Sequence, residues 1–172
     1  MSSPLGADGF RALNEVHEPD SRFEDYCTRD RDTLKFRPWT LADMHEVVAE
    51  YGLSAAVPED VRVQWDTARN VWLYAWHVFR FFPLAERHAF STFELALKIR
   101  LKCEAGGLAQ LTNEAIQQGY LPEEKRSCAM MEAMRHIRNV YAHGSVMLHP
   151  TVKPSFRHCR DLIEQLFSQE SG

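Results

Sequence analysis

Seven apolar residues, Val61, Trp65, Ala68, Trp72, Ala75, Trp76 and Phe79, recur mostly at steps of three and four. That period is one face of an α-helix; a strand would scatter the same side chains over both its faces. Three indole rings on one stripe bring more apolar surface than a lone helix can keep from water, so the chain must pack helix on helix. The same spacing assigns Trp65, Trp72 and Trp76 to a core rather than to a stacking platform for nucleobases.

The neighbouring segments carry the same period, punctuated by Pro and Gly. Thr40 with Asp43 three residues later reads as a capping box, and Trp39 with Met44 as a hydrophobic staple. The helix they start should end near Tyr51, with Gly52 as a left-handed cap. Pro58, Glu59 and Asp60 suit the first turn of the Trp-rich helix, which Pro83 should interrupt. A third helix is expected over about Leu84 to Glu104. Phe90, Phe93, Leu97 and Leu101 face inward, Glu94, Lys98 and Lys102 form an outer ladder, and Gly106-Gly107 stops it. A short helix, Leu108 to Gln118, closes at Gly119. Pro122, Glu123 and Glu124 open the next, with Met130, Met134, Ile137 and Tyr141 inward and Gly144 at its end. Pro150 and Pro154 bracket a turn. A last helix runs from about Ser155 to Phe167, with Phe156, Cys159, Ile163 and Leu166 inward. No strand alternation and no internal repeat is visible. The expected fold is all-α, an up-and-down bundle of five to six helices over residues 39–172. Residues 1–38, crowded with charge and without a period, read as an irregular or partly ordered arm.

At 172 residues the chain is long enough for one core without staples. The four cysteines, Cys27, Cys103, Cys128 and Cys159, have no paired spacing, which argues against a zinc framework or a disulfide scaffold. His149 and the His158-Cys159 pair lack a ligand-spaced partner, so neither metal nor cofactor is expected. No apolar run approaches the roughly 18 residues of a membrane span, and no secretory leader is evident at the N-terminus. A cytoplasmic protein without a membrane partner is the simplest expectation. The net charge of -4 excludes general attraction to nucleic acid. Its distribution is uneven: residues 84–160 hold 11 Lys/Arg against 7 Asp/Glu, while residues 1–83 hold 9 against 14.

The positive stretch contains Arg138-Asn139-Val140-Tyr141-Ala142-His143, followed by Gly144, at the expected end of the penultimate helix. Arg138 stays charged and can grip two phosphate oxygens. His143 titrates near neutral pH and can move a proton. Asn139 can orient either neighbour by hydrogen bonding. An ideal helix sets positions 138 and 143 roughly 140° apart, so convergence on one ligand needs the backbone to turn at Gly144. Arg135, sharing a face with Arg138, and Tyr141 are candidate substrate contacts. A structural reading stands beside the chemical one: a His cation near a negative helix end, an Arg in an ion pair, an Asn capping carbonyls.

The segment MRHIRNVYAHGS resembles the signature of the HEPN family, an Arg, a polar residue and a His four to six residues after the Arg. FELALKIRL, residues 93–101, is similar to the helix that packs opposite the motif in that family, and LTNEAIQQGYLP, residues 111–122, to the helix and loop before it. The resemblance spans about residues 58–167. It implies a HEPN-like bundle that dimerises with two motifs facing a shared cleft. It further implies a metal-independent endoribonuclease, typically a toxin or antiviral effector, in which Arg138, Asn139 and His143 are catalytic. The 2′-hydroxyl of RNA attacks and leaves a 2′,3′-cyclic phosphate. RNA, a second copy of the chain and an antitoxin or regulatory protein are the implied partners. The alternative is a non-catalytic helical module for dimerisation or partner binding.

Overall fold

The computed structural model describes residues 9–30, 32–123 and 152–168. Among them five α-helices and a two-stranded sheet form, in chain order: β1 (Cys27–Arg29), β2 (Phe36–Pro38), α1 (Leu41–Ala49), α2 (Glu59–Tyr74), α3 (Phe81–Leu101), α4 (Leu108–Gln117) and α5 (Val152–Phe167). The chain is therefore mainly helical, and no described helix is long and apolar enough to cross a membrane.

Helix α3 is the hub: it packs against α2, α4 and α5, and α1 lies on α2. The Trp stripe of α2 enters the core as its spacing requires, with Val61, Trp65 and Ala68 fully buried and Trp72 nearly so. Phe156 of α5 meets Trp72 at 4.6 Å and Trp65 at 5.1 Å between ring centroids. The Trp65 indole donates a hydrogen bond to the Tyr51 carbonyl, so its one polar atom is satisfied inside the apolar cluster. Phe90, Phe93 and Leu97 of α3 and Cys159, Ile163 and Leu166 of α5 are buried as expected.

The helix ends depart from expectation in four places. Gly52 is not left-handed; α1 closes through tight bonds from Tyr51 N–H to Val48 and from Gly52 N–H to Ala49. The break after α2 falls over residues 75–80, ahead of Pro83, which sits in the first turn of α3, where a missing N–H costs nothing. Lys102, not Gly106-Gly107, ends α3 in a left-handed conformation, so it leaves the outer ladder while Glu94 and Lys98 remain paired at 3.2 Å. Pro154 stands in the first turn of α5 rather than in a turn before it.

The arm holds the antiparallel sheet that the sequence did not announce, with Thr28 opposite Arg37. Its connection is organised by Asp30, whose carboxylate accepts from the Asp32 and Thr33 N–H groups and the Thr33 hydroxyl. Each strand has three residues, and Phe36 points into solvent, so no buried face imposes an alternating pattern. Arg37 extends a two-pronged grip to Asp43, both bonds 2.7 Å, tying β2 to the first turn of α1. The capping box is present, with the Asp43 N–H donating to the Thr40 hydroxyl oxygen and Asp43 accepting from the Thr40 N–H.

Asp20 joins the arm to the corner between α2 and α3. It is fully buried, its N–H donates to the Trp76 carbonyl, and its carboxylate accepts from the Phe79 N–H and from the backbone N–H and two side-chain nitrogens of Arg22. Burial alone would raise its pKa. The Arg22 and Phe79 hydrogen bonds outweigh that and hold it below the ordinary 3.8. Beside it Phe23 stacks on Trp76 at 4.8 Å, and the Arg22 guanidinium lies over the Phe79 ring.

Candidate functional site

Arg135, Arg138, Asn139, Tyr141 and His143 all lie outside the described residues, as does nearly all of the helix expected to carry them. The structure does describe the two elements that flank this segment in the chain. On its N-terminal side α4 ends at Gln117, and Gly119 turns the chain with φ +78°. Leu121 then drops into the core. On its C-terminal side α5 begins at Val152, itself buried.

Between α3 and α5 lies a polar pair in an otherwise apolar seam. Glu86 occupies the stripe of Phe90, Phe93 and Leu97 and is fully buried, as Ser155 nearly is. The Ser155 hydroxyl donates to the Glu86 carboxylate. Cys159, one turn further along α5, has its thiol pushed well above its ordinary pKa of 9.0, first by burial and then by the charge of Glu86. A thiol held protonated in this way is a packing group rather than a nucleophile. The pair thus sets a polar contact inside the core, at the first turn of α5. Its signal was present in the sequence, since Glu86 is four residues before Phe90 and seven before Phe93, a charged residue at a core position.

A second polar feature is Arg100 near the end of α3. Its guanidinium lies 4.2 Å from the centroid of Tyr120, which follows α4, and 6.0 Å from that of Phe167, at the end of α5. The cation so links the two chain segments that flank the undescribed stretch. Among the described residues no three His, Cys, Asp or Glu side chains gather to hold a metal ion. Cys159 faces the core, and its neighbour His158 is half-buried.

No protein-family model, curated protein or solved structure matches this chain.

Proposed function

We propose that the chain is a metal-independent endoribonuclease of HEPN type, an up-and-down bundle acting as a homodimer. The observation that carries this reading is the Arg138-Asn139-x3-His143 spacing in a basic stretch of an otherwise acidic chain. The mainly helical fold is compatible with it, and α3, which contains residues 93–101, is central to the described packing. In the proposed reaction Arg138 holds the scissile phosphate and stabilises the charge gathering on its oxygens. His143 relays a proton as the 2′-hydroxyl attacks and the 5′-oxygen leaves. Asn139 orients that pair, and Arg135 and Tyr141 contact the substrate. The setting we infer is cytoplasmic toxin–antitoxin or phage defence.

The test is incubation of the purified chain with total RNA in excess EDTA. Cleavage should persist, yield 2′,3′-cyclic phosphate ends, and spare DNA of the same sequence. Intact RNA under these conditions, with or without added divalent metal, would remove the nuclease reading. A second reading, a non-catalytic partner-binding module, is favoured by one observation: Phe10, Leu13 and Phe36 of the arm are almost fully exposed. Large apolar side chains left in water on an arm are candidate surface for another protein.

A further inference from the structure

A cavity of about 560 Å³ opens where the arm meets the helices. Among the described residues it is lined by Phe23 and residues 26–28, Trp39 before α1, Met44 and Val47 of α1, Trp72 of α2, Phe79 and Phe82 about the α2–α3 corner, and the first turn of α5. Its two ends differ. The inner end presents Met44, Trp72 and Phe23, all buried, with Phe79 and Phe82 beside them. The mouth presents Tyr26 and Cys27, which are exposed, the Thr28 hydroxyl and the exposed Lys153. Lys153 is the one ionised side chain among the described lining residues, and it has no acidic partner among them.

Protein interiors are packed to leave few voids larger than a water molecule, whereas cavities of this volume, apolar with a few polar groups, are the form ligand sites take. We propose that this cavity binds a small planar aromatic acid, the ring inside and the acid group at the mouth. Among the described lining residues are six aromatic side chains and the Met44 thioether. Most neighbouring rings among them meet tilted or edge-on, as Phe79 and Phe82 do at 80°, while Tyr26 and Trp39 stack at 27°, so the wall is built of both ring faces and ring edges. The polar end is set by Lys153, which complements a carboxylate or sulfonate, with Thr28 as a second donor. A nucleobase fits less well, because the inner wall would leave its hydrogen-bonding edge unpaired. A bound acid would touch the hairpin and the first turn of α5 at once, and so hold the arm against the helices. The inference stands apart from the nuclease reading and needs no RNA.

Isothermal titration of the full chain with 2-naphthoate tests it. Wild type should bind one molecule saturably. Lys153→Gln should weaken binding at least tenfold, and the uncharged 2-naphthalenemethanol should bind both proteins alike. Lys153 is exposed, so this variant keeps its fold. Val47→Phe, which fills the cavity from α1, should abolish binding while the thermal midpoint stays within a few degrees. The proposal is overturned by absence of saturable binding, by equal affinity of wild type and Lys153→Gln for naphthoate, or by tighter binding of decanoate or adenosine monophosphate than of naphthoate.

Discussion

At the scale of single residues, the proposed nuclease turns on Arg138 and His143. Truncating either to Ala should abolish RNA cleavage while thermal stability moves by no more than the ~1 kcal/mol typical of a point change. Arg138→Lys should also be poor, since an ammonium cannot reproduce the two-pronged grip on phosphate, and Asn139→Ala should be intermediate. A cleavage assay beside thermal melts checks all four; unchanged cleavage in both Ala variants would make the pair structural. Asp20 supports a different measurement. Its folded pKa lies below 3.8, so the native chain binds this proton less readily than the unfolded one. Its contribution to stability is complete above about pH 4 and is lost as pH falls through the depressed folded value. The melting-temperature gap between wild type and Asp20→Asn should therefore be widest near neutrality and shrink in acid. Parallel curves down to pH 2 would show that the carboxylate charge contributes nothing there.

Among the elements, α1 is held most explicitly from outside. Thr40→Ala removes one half of a reciprocal cap and should cost about 1 kcal/mol in urea unfolding. Asp43→Ala should cost more. Asp43 also receives the Arg37 fork, whose hydrogen bonds, opposed by some burial, hold its carboxyl well below the usual carboxylate range. If the two variants lose the same amount, the link to the hairpin is idle. These elements also show what sequence could and could not reveal. The α2 and α5 stripes were legible because burial on one helix face leaves a three-and-four rhythm. The capping box was legible because it is local. The hairpin was not, because neither strand has a fully buried side chain and its turn is built by one Asp among many charges. The end of α3 was misplaced because Lys102 takes a left-handed conformation that nothing but its surroundings demands. Glu86 could have been noticed on its stripe, but its Ser155 partner could not, since the two are joined only by packing of α3 on α5.

For the whole molecule, the proposed shared cleft requires two copies. Light scattering at tens of micromolar should give a dimer mass, and monomer alone would count against two motifs facing each other. RNA affinity should fall with salt on a shallow slope, because residues 84–160, with 11 Lys/Arg against 7 Asp/Glu, carry only a small positive excess and the chain as a whole is acidic. Filter binding between low and physiological salt reads that slope; no binding at low salt would favour the partner module.

Asp20 also bears on how the chain should be handled at the bench. An engineer trimming the first 38 residues to obtain a tidier helical piece would delete the only side chain described at the α2–α3 corner that accepts the Phe79 N–H, together with the ring that covers Trp76. The shortened product would expose an indole and a bare backbone donor at the bend where two of its longest helices meet. Poor solubility of such a fragment would then report a missing tether, not a faulty bundle.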